Sequence, residues 1–211
     1  TRPSKYLTNN AILHSSQYGF REKLSTTLAL LTLVEDISKS TDEGNITLGV
    51  FIDLAKAFDT VDHTILLAKL NHYGISAVAN NWFSSYLTNR KQYVNINKSN
   101  SDYLHIKCGV PQGSILGPIL FIIYINDLNS ISKILRTIMF ADDTNLFLSG
   151  PNIVELENQL NTELEILSEW FKSNLLSLNI KKTSYIIFSN KKLSNINIVI
   201  ANTKINQIKD L

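Results

Sequence analysis

Residues Ile138 to Leu148 read I-M-F-A-D-D-T-N-L-F-L, two short apolar runs folded about the acid pair Asp142 and Asp143. β-forming residues on both sides of a polar centre predict a β-hairpin with its carboxylates at the tip. Two adjacent acids at a turn crowd negative charge, which costs free energy unless a cation, a basic group or water screens it. Asp and Asn are also ordinary turn residues. Taken alone, the stretch is read more readily as a solvated turn, because motifs this short often arise by chance.

The surroundings reverse that reading. Upstream, Ile46 to Asp53 alternates, with Ile46, Leu48, Val50 and Ile52 on one face and Thr47, Gly49, Phe51 and Asp53 on the other. Asp53 therefore ends a strand on the face opposite the aliphatic stripe. If that stripe packs on helices, the acid looks into the open side of the sheet. Phe58 follows closely, and Asp59 and Asp62 are candidates to cap the next helix. Between strand and hairpin lies Gly109 to Pro118, G-V-P-Q-G-S-I-L-G-P, which cannot be a regular element. It reads either as a strained structural turn or as a close approach to a phosphate or base, with Pro118 at the first position of the helix that follows. A strand-end acid beside a hairpin acid pair supplies what two magnesium ions about 4 Å apart require for in-line phosphoryl or nucleotidyl transfer.

Elsewhere the patterns are those of packing. A helix is expected from Ser25 with Leu24, Leu28, Leu31 and Val34 on its inner face, closed by the loop Asp42 to Asn45. Two helices divided at Gly74 are expected over 62–88, with Ile65, Leu66, Leu70, Trp82, Phe83 and Tyr86 as core. His63 and His72 have no partner at metal-ligand spacing and are read as surface or satisfied histidines. Gln92 to Asn97 and Tyr103 to Cys108 form a hairpin or neighbouring strands, and Arg90, Lys91 and Lys98 beside them are either solvated or laid along a phosphate backbone. Behind Pro151, Asn152 and Glu155 resemble a capping box. Ile153, Leu156, Leu160, Leu164, Leu167 and Phe171 then mark one face of a long amphipathic helix, and strands are expected over Tyr185 to Phe188, Ile196 to Ile200 and Thr203 to Ile208.

The 211 residues, 44% hydrophobic and 18% charged, suffice for one domain or two interleaved subdomains. A formal charge of +2 means that any grip on nucleic acid must come from local basic clusters. Cys108 is the one cysteine, which excludes an internal disulfide and a cysteine-based zinc site. A reducing, intracellular setting is expected, in nucleus or cytoplasm. The longest apolar run, Ile119 to Ile125, falls well short of the roughly 20 residues that cross a bilayer, and Thr1 to Asn10 has no signal-peptide pattern, so no membrane partner is expected. The lack of an initiator Met suggests a piece of a longer protein.

Three long stretches carry a resemblance. F-I-D-L-A-K-A-F-D-T-V-D-H, G-V-P-Q-G-S-I-L-G-P-I-L-F-I-I-Y-I-N-D-L and F-A-D-D-T-N-L-F resemble, in order and spacing, motifs A, B and C of the reverse transcriptases of non-LTR retrotransposons, LINE-type and Jockey-like. Q-Y-G-F-R-E-K-L-S-T-T is similar to the fingers motif upstream, and L-S-L-N-I-K-K-T to motif D. The resemblance implies an α+β fold: a polymerase palm, an antiparallel sheet backed by helices, with partial, mostly helical fingers and no thumb. It divides the chain into partial fingers (1–45), palm with the motif A strand and following helix (46–75), a fingers/palm connection (76–106), and palm with motifs B, C and D (107–211), ending before the primer grip and thumb expected just after Lys209 to Leu211.

It also implies roles. Asp53 and Asp142 would be the principal metal ligands, with Asp143 beside them and the Leu54 carbonyl as a backbone ligand. The ions would be two Mg2+, with Mn2+ as a substitute. Phe58 would be the steric gate against a ribose 2′-OH, and Gln112 and Gly113 would line the nucleotide and template pocket. Arg21, and with less support Lys23, would reach the triphosphate. Lys182 would give pyrophosphate its proton, with Lys181 as the competing assignment. The expected activity is RNA-directed DNA synthesis. The expected partners are an RNA template, a DNA primer, deoxynucleoside triphosphates and the rest of the retrotransposon polyprotein, with its thumb and an endonuclease. The alternatives are a catalytically inactive or decayed palm that binds nucleic acid, or another palm-type polymerase.

Overall fold

Strand β1, Ile46–Ile52, is the axis of the molecule. The computed structural model describes residues 2–191, 193 and 195–208; Lys209 to Leu211 lie outside the described residues. The alternation of β1 is realised as expected: Ile46, Leu48, Val50 and Ile52 are all buried in the main core. On one side β1 pairs antiparallel with β7, Asp143–Gly150, with Ile52 opposite Thr144. On the other it pairs antiparallel with β8, Ser184–Phe188. Strand β6, Arg136–Phe140, extends the sheet beyond β7, and the short β11, Asn206–Gln207, lies parallel to β8, giving the order β11-β8-β1-β7-β6.

Helices cover the aliphatic face of this sheet. They are α3, His63–His72, α5, Gly117–Tyr124, and α6, Ile153–Ser173, with α4, Ala77–Leu87, packed on α3. Helix α6 carries Leu156, Leu160, Leu164, Leu167 and Phe171 inward as its periodicity requires. The Asn152 side chain caps it by accepting from the Val154 N–H, without the reciprocal bond of a capping box. Helix α5 begins one residue earlier than expected, at Gly117, and is apolar all round because it is enclosed all round. Lys69 is drawn into this layer: its Nζ donates to Tyr124 O and Asp127 Oδ1, each at 2.6 Å, and lies 5.0 Å and 4.9 Å from the Tyr124 and Trp170 ring centres. Burial lowers its pKa, and the Asp127 carboxylate opposes that shift.

Helix α2, Thr26–Asp42, lies on the opposite face of the sheet and is turned differently from expectation. It presents Ala29, Leu33 and Ile37 to Ile138, Phe147 and Phe51, while Leu28, Leu31 and Val34 are 42%, 52% and 51% exposed. The segment L-A-L-L-T-L-V is apolar at almost every position, so its spacing fits several faces. Close approach to the sheet selects the face bearing the small Ala29. A further helix, α1, Arg2–Asn9, lies in a stretch the sequence left unassigned and anchors Leu7 in the core. Trp82, expected inside, is 52% exposed and stacks on Tyr86 at 5.5 Å. The region after α4 is an arm of paired short strands, β2 (Lys91–Gln92) with β5 (Leu104–His105) and β3 (Asn95–Ile96) with β4 (Ser99–Asn100). The two-residue strands β9, Val199–Ile200, and β10, Thr203–Lys204, pair with each other. No helix among the described residues is long and apolar enough to cross a membrane.

Candidate active site

The acids meet at one end of the β1–β7 pair. Phe140 pairs with Asp143, so the hairpin between β6 and β7 turns on two residues, Ala141 and Asp142, and Asp143 already belongs to the strand. One step beyond the Ile52–Thr144 register, Asp53 comes beside Asp143 on the face that carries Phe51 and Asn145. Both acids line a cavity of about 550 Å³ under α2, walled by apolar side chains such as Leu30, Phe51 and Phe140. Asp142, in the turn, is half-buried and does not line this cavity. The Asp143 carboxyl is held above its ordinary range, first by partial desolvation and then by the charges of Asp142 and Asp53.

Backbone pairing sets the floor of the site. The Ala55 N–H donates to Ser177 O and the Asn179 N–H to Asp53 O, each at 2.8 Å, around the antiparallel bridge of Leu54 and Leu178. In that pattern the N–H and C=O of Leu54 itself point away from residues 177–179, towards the side on which β7 lies. The same pairing carries the turn Asn179–Thr183 to the acids, and the Asp53 N–H donates to Thr183 Oγ1 at 3.3 Å. As a result Lys182, not Lys181, lines the cavity with Asp53 and Asp143.

The acid turn is held from outside the sheet by a residue that sequence reasoning passed over. Ser16 to Tyr18 runs along the outer edge of β6, with Tyr18 N–H donating to Met139 O and Met139 N–H to Ser16 O, both at 2.8 Å. Gln17 is 0% exposed. Its Oε1 accepts from the Gly19 N–H at 2.8 Å and from the Ala141 N–H at 3.2 Å, in the turn itself. Ala141 is left-handed at φ 59°, a conformation that persists where surrounding contacts impose it. Gly19 fits only because it lacks a Cβ, which would stand 2.2 Å from Ala141 N. A lone Gln carries no chemical signature; the trace in the sequence is the Q-Y-G triplet beside Arg21.

The remaining candidates lie further along the same end of the sheet. Phe58 stacks on Phe121 of α5 at 4.5 Å and meets the edge of Phe20 at 6.4 Å, so its ring is wedged between two elements. The Gly109 loop is pinned beneath it. Gly109 N–H donates to Val61 O at 2.7 Å, Val110 N–H to Phe58 O at 2.8 Å, and His63 Nε2 to Gly109 O at 2.8 Å. His63 is thus a satisfied histidine. Gly109 adopts φ 86° with the Asp59 backbone where a Cβ would be, and Gln112 Nε2 donates to Asp59 Oδ1 at 2.7 Å. Of the two cap candidates, Asp62 caps α3 and Asp59 holds this loop instead. Gly113, at φ 78°, faces open space. Arg21 is folded back, its Nη1 donating to His14 O and Gln17 O. Lys23 is exposed.

The donor set suits a hard cation. Among the described residues no three His, Cys, Asp or Glu side chains are gathered into a cage. Two neighbouring carboxylates of raised repulsion are nevertheless what magnesium takes, since it completes its shell with water and substrate phosphates rather than with an all-protein cage.

An antiparallel sheet backed by helices, with acids at the end of the central strand and on the adjoining hairpin, is the palm of a polymerase. Residues 3–206 match the family of reverse transcriptases (RNA-dependent DNA polymerases), and the chain belongs to that family. It is 32% identical over 208 residues to a probable RNA-directed DNA polymerase from transposon BS of Drosophila melanogaster, covering 92% of this chain and 22% of that protein. To the RNA-directed DNA polymerase from the mobile element jockey of the same species it is 26% identical over 185 residues, covering 83% of this chain and 20% of that protein. The chain thus spans about a fifth of the length of these relatives. Among solved structures, apo telomerase from Candida tropicalis truncated from its C-terminal domain superposes with a TM-score of 0.65 at 16% identity, over 97% of this chain and 42% of that one. Telomerase from Candida albicans, solved with a fragment of telomeric RNA, superposes with a TM-score of 0.61 at 16% identity, over 86% of this chain and 34% of that one.

Proposed function

We propose that this chain is the catalytic palm of an RNA-directed DNA polymerase of a non-LTR retrotransposon, which joins deoxynucleotides to a primer 3′-OH along an RNA template. The observation that carries the reading is the meeting of Asp53 and Asp143, beside Asp142, at one end of the central strand pair. Asp53, Asp142 and Asp143 would hold two magnesium ions, with manganese as a substitute and the Leu54 carbonyl as a backbone ligand. When bound, the ions supply activation of the hydroxyl and neutralisation of triphosphate charge.

The chain's own residues then divide the remaining work. Phe58, wedged by Phe121 and Phe20, cannot retreat from a ribose 2′-OH and so selects deoxynucleotides. Gln112 and Gly113 border the base and template. Lys182, on the acid cavity, gives its proton to the leaving pyrophosphate. Arg21 releases its two carbonyls to meet the triphosphate, with Lys23 beside it. In domain terms residues 1–45 and 76–106 serve as fingers and connection, and 46–75 with 107–211 as palm, in a larger polyprotein.

The test is extension of a DNA primer on an RNA template by the chain within its full reading frame. Asp53→Asn and Asp142→Asn are expected to lower the rate by about 10³-fold or more, the several kcal/mol that metal-held charge supplies. Phe58→Ala is expected to admit ribonucleotides. Equal extension by parent and Asp142→Asn removes the proposal.

A further inference from the structure

We infer that the arm over residues 90–107, with the basic cavity at its base, is a docking surface for single-stranded nucleic acid on the template side of the site. The arm leaves the body after α4, and every residue from 91 to 105 is exposed. Its segment carries four cations, Arg90, Lys91, Lys98 and Lys107, against one acid, Asp102. That is a net charge of +3 in a chain whose total is +2. Among the described residues none of these cations makes an ion pair. Such a cluster repels itself, and a polyanion relieves it by releasing counterions.

Two further observations specify the polyanion. Tyr93 and Tyr103, 48% and 65% exposed, meet edge to face at 5.1 Å on the arm. Paired aromatic rings held in water beside cations are what unstacked bases rest on. At the base of the arm a cavity of about 740 Å³ is lined by Lys56, Arg90, His105 and Lys107 against the single acid Asp59, with Gln112 also on its wall. It leads from the arm to the Gly109 loop and shares no lining residue with the acid cavity. A primer terminus has to reach the acids. Gln112, on the wall of the basic cavity, is the residue assigned above to the base and template, so on that reading the strand along this cavity is the template, ahead of the duplex.

Only the word template rests on the polymerase reading; the binding can be measured without nucleotide or metal. Anisotropy of a labelled single-stranded RNA is followed across a salt series for the parent chain, Tyr93→Ala/Tyr103→Ala and Lys91→Gln/Lys98→Gln. The aromatic pair variant is expected to bind about tenfold more weakly or worse, within the range for lost base stacking. The lysine variant is expected to lose about 0.7 of salt slope per cation. Unaltered melting temperatures show that both fold. Parent affinity and slope in both variants, or no binding by the parent at low salt, overturns the inference. So does self-association of the parent that the tyrosine changes abolish, since that assigns the arm to a second copy. In a primer and template pair bearing a photoreactive base, cross-links to the arm are expected from the template overhang and not from the primer end; the reverse pattern overturns the assignment of strand. If Asp142→Asn extends primers as the parent does, the polymerase reading fails while the binding comparison still stands.

Discussion

Asp143 is held in its charged form at a cost at neutral pH. Its folded pKa lies above the unfolded value, so the protonated acid stabilises the fold below the unfolded pKa and that contribution is lost as pH rises through the folded one. At pH 7 the ionised side chain is thus a small liability. Asp143→Asn is expected to raise stability in chelator by on the order of 0.5 kcal/mol, the size of a like-charge cross-strand repulsion. Magnesium is expected to narrow the gap by stabilising the parent more, which calorimetry with and without the ion reads directly. Gln17 works in the opposite sense. Gln17→Met strands the buried Gly19 and Ala141 amides, at about 1–3 kcal/mol each. The urea midpoint is expected to fall clearly. Asp53 was legible because strict alternation decides which way a strand-end residue faces. Gln17 was not, because its partner Ala141 lies on a turn 124 residues away. Asp143 rather than Asp142 on the cavity wall was equally hidden, since it depends on the two-residue length of the turn.

Among the elements, α6 and α2 show what periodicity can decide. Helix α6 sets leucines at helical spacing between polar residues, and the inner face read from sequence is the one buried. Helix α2 is apolar on nearly every side, so the pattern under-determines its rotation, and packing against Ile138 and Phe147 makes the choice. That choice is testable. Ala29→Leu is expected to destabilise by about 1–3 kcal/mol through overpacking, while Leu31→Gln, on the exposed side, stays within about 0.5 kcal/mol. Reversal of that order in thermal melts would show the helix turned the other way. Gly109→Ala belongs here too. Left-handed geometry and the Asp59 backbone leave no room for a methyl group, so the loop under Phe58 is expected to loosen, with a lower melting temperature.

Across the whole molecule the decisive contact is non-local: β1 meets β7 some hundred residues later. Strand patterns announce that strands exist but not which neighbours they take, so resemblance to a known family implied an antiparallel palm sheet, and its order is seen only in the structure. The helical layer is tied together by Tyr124, whose hydroxyl donates to Asn174 O at 2.6 Å and accepts from the Asp62 N–H at 3.3 Å, joining α5 to both α3 and the end of α6. Burial pushes its pKa up to about 12. The neutral phenol therefore contributes stability that is complete below pH 10 and is lost as pH climbs towards 12. Tyr124→Phe is expected to be less stable at pH 8 by about 1–2 kcal/mol and to flatten the alkaline decline of the parent.

A margin of a sheet is a template for any other strand, and natural proteins guard it. Here Ser16 to Tyr18 already takes both outward backbone groups of Met139 on the outer flank of β6, so a second molecule finds that lane blocked there. Stripping residues 2–18 would bare the Met139 N–H and C=O on that flank at the same stroke as it unmoors the acid turn, and the shortened chain should come off a sizing column as clumps rather than single molecules.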